Sequence, residues 1–337
     1  MNILSDDRFT MEALTSVARR LPEAPTVLGR LGIFEDEPLD VTSVAVEYAD
    51  GLIGLVDPSP RGGPGQTVKH DSTKIASFAI PHFQRDDTVL ADEVQSRRAF
   101  GAADQLETVQ ERVARKIARH KNDLDFTREH QRVGAITGQL TDSKGQVYEN
   151  LFDRFGIAAP SAISFALGTA STDVRGKCTK VLDALSDGLD VEVGGDLYPV
   201  TAAVGADFWD ALISHDAVKS TYQNWEAAAA LRGDARRPFT FGGIRWVRYR
   251  SSAKVKAAKG NQPLIPANTA RFVVGGLPDL YKTYYAPADY NETVNSLAET
   301  IYAKMTEMPN GKGYDLEVQR NCLSICTRPA ALISATA

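Results

Sequence analysis

Apolar positions along this chain change their period several times, and each change marks an element. Val44, Val46 and Tyr48 alternate with polar residues up to Asp50-Gly51, which predicts a strand and a two-residue hairpin turn, with 52–56 as the returning strand. Six of the eleven residues 57–67 are Gly or Pro, so no regular element fits there. A second strand run covers 73–83. Before all of these, residues 1–40 interleave short apolar groups with Pro22, Pro25 and Pro38 and read as an arm with one short helix. Residues 42–83 therefore predict a long β-excursion with an irregular tip.

The longest signal is helical. Asp104 with Glu107 three residues on forms a capping box. Leu106, Val109, Val113, Ile117, Leu124, Val133 and Ile136 then keep a 3.6-type spacing as far as Gly138, with Arg112, Arg115, Lys116 and Arg119 on other faces. At 1.5 Å per residue such a helix is roughly 50 Å long, close to the diameter of a compact globule of this size. Asn122-Asp123 is its weak point, because both residues compete for backbone hydrogen bonds. The narrow apolar stripe predicts a helix laid along a sheet.

Beyond it, Asp142-Ser-Lys-Gly145 predicts a hairpin turn, and Val174, Cys178, Val181, Leu182 and Leu185 give an amphipathic helix that ends at Gly188. Residues 200–204 read as a buried strand, 207–225 as helix, 244–250 and 271–274 as strands, and 314–335 as strand split by Pro329. Helices and strands mix without a regular βαβ period, which makes the fold class α+β.

Composition narrows the function. With 43% hydrophobic and 24% charged residues in 337, the chain is an ordinary globular one, neither collagen-like nor low-complexity. Its net charge of −5, from 38 basic and 43 acidic residues, argues against coating nucleic acid or anionic membrane through net charge. Three cysteines, Cys178, Cys322 and Cys326, are too sparse and odd for a disulfide framework and fit a reducing compartment. Asp6 and Asp7 stand where a signal peptide needs an apolar run, and no stretch reaches the ~18 apolar residues of a membrane span, so a cytoplasmic product with no membrane partner is expected.

No constellation carries catalysis. Arg61-Gly-Gly-Pro-Gly-Gln-Thr67 has the glycines of an anion-cradling loop but neither the Gly-Lys-Ser/Thr ending nor a following helix pattern. His70, His82, His120, His130 and His215 lack paired ligand spacing. Asp183, Asp187 and Asp190 cluster at a helix end, where solvation explains them better than a metal, and Cys322 and Cys326 fall on one face of a strand as a packing pair. Cys178 lies on the core face of its helix. No catalytic, cofactor-binding or metal-ligating residue is assigned, and no cofactor is expected. Two tracts stand out instead. Residues 232–259 hold nine Lys or Arg against Asp234 alone, either a charged hairpin for an acidic neighbour or a nucleic-acid site with Trp246 and Tyr249 stacking on bases. Six of the eleven tyrosines fall between Tyr281 and Tyr314, either as an interface or as ordinary strand composition.

Several pieces, in order, carry a resemblance: the strands around 60–83, Glu129-His-Gln-Arg-Val-Gly-Ala-Ile-Thr-Gly138, the hairpin 142–153, Phe208-Trp-Asp-Ala-Leu212, Phe241-Gly-Gly-Ile-Arg-Trp-Val-Arg-Tyr249, Ile265-Pro-Ala-Asn-Thr269 and Gln319-Arg-Asn-Cys-Leu-Ser-Ile-Cys-Thr-Arg-Pro329. From about residue 40 onward the chain resembles tailed-bacteriophage major capsid proteins of the phage lambda type, the major capsid protein E family. The resemblance implies an N-terminal arm (1–40), an extended loop (41–88), a peripheral domain (89–165 and 281–318) on a spine helix 104–138, and an axial domain (166–280 and 319–337). It implies a non-enzymatic subunit assembling with itself as hexamers and pentamers into an icosahedral head around double-stranded DNA. Portal, scaffold and decoration proteins would be partners, packaged DNA would touch the inner face non-specifically, and the protein would be assembled in the host cytoplasm and end in the virion. With arm and loop projecting, about 250 residues would form the compact body. The alternative is a nucleic-acid-binding protein using 232–259.

Overall fold

The computed structural model of the chain describes residues 7–48, 74–94, 109–223, 237–250 and 263–337. The arm begins with α1 (Met11–Arg20), capped by the Thr10 hydroxyl accepting the Ala13 N–H at 3.3 Å, followed by α2 (Val27–Leu31) and β1 (Glu35–Pro38). β2 (Ser43–Tyr48) and β3 (Lys74–Ala79) form a separate antiparallel ribbon with Tyr48 opposite Lys74. The predicted turn at 50–51, the strand 52–56 and the Gly/Pro tip lie outside the described residues. The run 73–83 is interrupted, because Pro81 has no N–H to donate to a ladder, and β4 (His82–Leu90) starts after it in a different sheet.

After α3 (Ala91–Val94) comes α4 (Val109–Thr137), 29 residues and about 43 Å long. It runs unbroken through Asn122-Asp123, and the capping box at 104–107 lies outside the described residues. Gly138 ends it at φ +81, where a Cβ would sit 2.2 Å from the Phe152 ring. β5 (Gln139–Thr141) and β6 (Val147–Asn150) form the expected hairpin, its turn tied by Asp142 Oδ1 accepting the N–H groups of Lys144 and Gln146.

α5 (Leu151–Phe155), β7 (Ile163–Ser164) and α6 (Val174–Leu189) lead into the second half. α6 extends past Gly188 to a left-handed cap at Asp190. Gly188 is there because α6 presses on 330–331: a Cβ would stand 2.8 Å from the Ala330 carbonyl oxygen. β8 (Val200–Val204) precedes α7 (Ala206–Ser214) and α8 (Asp216–Gln223), so the single helix expected over 207–225 is two. His215 separates them, its Nδ1 accepting the Ala217 N–H at the start of α8. β9 (Phe239–Phe241), β10 (Ile244–Arg248), β11 (Thr269–Val274), β12 (Tyr281–Tyr285), β13 (Tyr302–Glu307), β14 (Gly313–Cys326) and β15 (Ser334–Thr336) complete the chain.

Two sheets organise these elements. The first has the order β1-β12-β14-β13, with β4 also on β14. Its long strand β14 pairs with β13 and β4 along its first part and with β12 along its last five residues. The second is mixed and six-stranded, in the order β7-β15-β11-β8-β10-β9. Residues 82–88, expected in the loop, belong to the first sheet. So do 319–326, which the resemblance groups with the axial part, although Leu323, Ile325 and Cys326 pack into the larger core shared with the second sheet.

From residue 7 on, the arm packs on the body. Phe9, Leu14 and Ala18 are buried with Val113, Ile117, Leu316 and Val318, and β1 adds a parallel edge strand to β12. Burying Phe9 and Leu14 is worth about 1.5–3 kcal/mol each, which an extended arm would forgo. α4 serves two cores: Val113, Ile117 and Leu124 belong to the smaller one, Val133 and Ile136 to the larger.

Candidate functional site

Between those two apolar ends, the buried side of α4 is charged. Lys121, Asp125, Arg128 and Arg132 follow Ile117 at intervals of three or four residues, so they continue the same face. All four are buried, together with Glu129 and Gln131. Charges at such depth need partners, and the sequence supplies them from every surrounding element.

Asp125 is the centre. Its Oδ1 accepts from Arg320 Nη1 of β14 at 2.7 Å, and its Oδ2 accepts from Lys121 Nζ at 3.0 Å and from the Ala24 N–H of the arm at 2.9 Å. Burial pushes this carboxyl up, but Arg320, the Ala24 N–H and Lys121 together hold it below the usual carboxylate range. One turn on, Arg128 reaches Glu23 Oε2 at 2.6 Å and donates to the Tyr285 hydroxyl at 3.1 Å. Burial opposes its charge, yet Tyr285 and Glu23 outweigh that and raise its pKa further. Glu129 Oε1 accepts the Leu28 N–H at 2.8 Å and the Tyr249 hydroxyl at 3.0 Å. Arg132 pairs with Asp36 at 3.1 Å and lies 5.0 Å over the Phe34 ring. One helix face thus clamps the arm (Glu23, Ala24, Leu28, Asp36), the first sheet (Tyr285, Arg320) and the end of β10 in the second (Tyr249).

Nearer its start α4 is tied to β4 and α3. Lys116 Nζ meets Asp87 at 3.0 Å and Glu93 at 3.3 Å, and His120 Nε2 lies 2.9 Å from Asp87 Oδ2. Asp87 is held below the ordinary aspartate value, because hydrogen bonds from Lys116, His120 and the Thr88 N–H exceed the opposing effect of burial. On the outward side of α4 a groove of about 1300 Å³ opens, walled by His82, Gln84 and Arg85 of β4 and by Tyr148 of the β5–β6 hairpin.

The other singled-out residues scatter into packing roles. Trp246 is fully buried and donates to the Phe241 carbonyl, and Tyr249 is spent on Glu129, so neither is free to stack on a base. Of the basic tract, 232–236 and 251–259 lie outside the described residues. Tyr281, Tyr284, Tyr285, Tyr290 and Tyr302 are buried within the subunit, which is the strand-composition reading rather than an outer interface. Cys178, Cys322 and Cys326 are free and buried, and burial pushes their thiols up to about 12, 11 and 12. Among the described residues no group of three or more His, Cys, Asp or Glu could hold a metal ion, and no helix is long and apolar enough to cross a membrane. His70 is outside them. The sequence reading missed the clamp: from Ile117 onward charges of both signs continue the stripe at helical spacing, a pattern that by itself reads as a solvated face.

The structure resembles the capsid protein of a prophage from E. coli CFT073, with a TM-score of 0.60 at 13% identity over 97% of this chain and 98% of that one. It also resembles the capsid of Myoviridae phage XM1, with a TM-score of 0.55 at 11% identity over 95% of both chains. The fold is that of the tailed-phage capsid proteins. At the level of sequence, residues 10–337 match the family described as Phage major capsid protein E, and the chain belongs to that family. It is similar to the major capsid protein of Pseudomonas phage KPP10, 28% identical over 98% of this chain and 97% of that one.

Proposed function

We propose that the chain is the major subunit of a tailed-phage head, with copies joined as hexamers and pentamers in an icosahedral shell around double-stranded DNA. The observation that carries this reading is the family match over nearly the whole length, joined to an architecture shared with assembled capsids. The clamp on α4 supports it, because a shell subunit bears load between neighbours, and buried ion pairs fix one relative placement of arm and sheets rather than many. In this reading the first sheet with α1 and most of α4 is the peripheral part, and the second sheet with α6, α7 and α8 is the axial part. The β2–β3 ribbon is the base of the extended loop. Side chains left in water, such as Ile75 (64% exposed) on the ribbon and Val294 and Leu297 (66% and 64%) near β13, would be covered by neighbouring copies.

The subunit has no catalytic role in this reading. Its partners are other copies of itself, with a portal, a scaffold and a decoration protein completing the head, and packaged DNA met without sequence preference. Assembly takes place in the host cytoplasm and the product resides in the virion. Sedimentation of the purified chain tests the reading: it predicts particles in the megadalton range, whereas a single 36.6 kDa species under every assembly condition would contradict it. Nothing observed favours the nucleic-acid alternative.

A further inference from the structure

Among the described residues, six cations withdrawn from water have a carboxylate close beside them. Lys116, Lys121, Arg128, Arg132, Lys282 and Arg320 each stand within 3.1 Å of an Asp or Glu oxygen. Arg271 breaks the pattern. It lies on β11 opposite Ala203 of β8 on one side and Ser334 of β15 on the other, and it shares its sheet face with Val247 of β10. Its Nε is buried and has no hydrogen-bond partner. Burial alone acts on its charge, pushing the guanidinium below the ordinary arginine value, with no neighbouring charge to offset it.

A guanidinium partly withdrawn from water and left without a carboxylate lowers stability, so a subunit that worked alone would do as well with an apolar residue at this place. The same cost makes Arg271 a prepared contact. Part of its desolvation has already occurred on folding, so an incoming carboxylate gains more than it would at a fully exposed arginine.

We propose that Arg271 is an intersubunit anchor, completed by an Asp or Glu carboxylate from a neighbouring copy of this chain. The inference rests on the shell-subunit reading. A second copy is favoured as the source because the chain carries 43 acidic residues against 38 basic, so each copy offers surplus carboxylates. DNA phosphates are met by exposed rows of cations, whereas Arg271 is half-buried and stands between the short side chains of Ala203 and Ser334, with Arg245 two strands away on the same face.

The test compares wild-type, Arg271→Met and Arg271→Lys full-length chains for subunit melting temperature, for the fraction sedimenting as shells and for DNA content. Arg271→Met should melt at or above the wild-type temperature and yield about tenfold fewer shells, since losing one charge-assisted pair of ~1.4 kcal/mol per interface is that factor. Arg271→Lys should fold normally and assemble at an intermediate level, because an ammonium keeps the charge and loses the fork. A drop in melting temperature that parallels the loss of shells in both variants would overturn the inference in favour of a role within the subunit. Unchanged shell yield would overturn it as well, and normal shells with reduced DNA would assign Arg271 to phosphate instead. Absence of shells from the wild-type chain would sink the shell-subunit reading and this inference with it.

Discussion

At the scale of single residues, the most consequential group is Asp125, because it joins α4, the arm and β14. Asp125→Asn leaves Arg320 and Lys121 buried without the carboxylate to which both are paired, and breaking a buried pair in this way costs about 3–5 kcal/mol. Denaturant unfolding should show that loss as a lower midpoint, and a change below about 1 kcal/mol would mean the clamp is not formed. Tyr249→Phe removes one bond to a buried carboxylate and should cost about 1.5–3 kcal/mol; no change in stability would return Tyr249 to the surface role considered from sequence. Acid acts on the same groups. Asp125 and Asp87 have folded pKa values below their ordinary 3.8, so their contribution is complete above the unfolded value and is lost as pH falls through the lower folded one. Melting temperature should therefore be flat from about pH 7 to 5 and fall below about pH 4, with a shallower fall in Asp125→Asn. None of this clamp was legible residue by residue. Charges on a helix read as a solvated face, and only their partners on Glu23, Tyr249, Tyr285 and Arg320, all distant in sequence, show that they point inward.

Elements were far more legible where periodicity is local. The long helix, the β5–β6 hairpin, α6 and the strands β8, β10 and β11 follow from spacing and turn residues that act within a few positions. Pairing partners did not follow, because they depend on contacts across more than two hundred residues. β4 lies against β14 and β1 against β12, and both facts turn apparent loop and arm into sheet. The ribbon gives the sharpest expectation at this scale. Its two strands are closed by the Tyr48–Lys74 register, and its inner end is packed through Phe78 on Phe155 at 5.7 Å between ring centroids. Deleting 59–66 leaves every one of these contacts in place. The shortened subunit should keep its melting temperature within about 2 °C while shell formation falls, since shortening a Gly- and Pro-rich loop changes the closure entropy only slightly. Loss of subunit folding would show that those residues belong to the body.

For the whole molecule, the length and composition of the chain describe a self-sufficient globule, and most of the described chain, arm included, behaves as one. What distinguishes it is the direction of its unspent surface: an uncompensated Arg271, exposed Ile75, Val294 and Leu297, and a groove along the outer side of α4. Each is a small cost to a monomer and becomes useful once copies meet. The family match sets the class of assembly, and the clamp explains why a subunit under load would keep its arm and two sheets in register. Electron microscopy of the purified full-length chain tests this most directly. The account predicts closed shells built of hexameric and pentameric rings, with the β2–β3 ribbon lying at contacts between subunits; dispersed monomers across all assembly conditions, with no rings or shells, would contradict it.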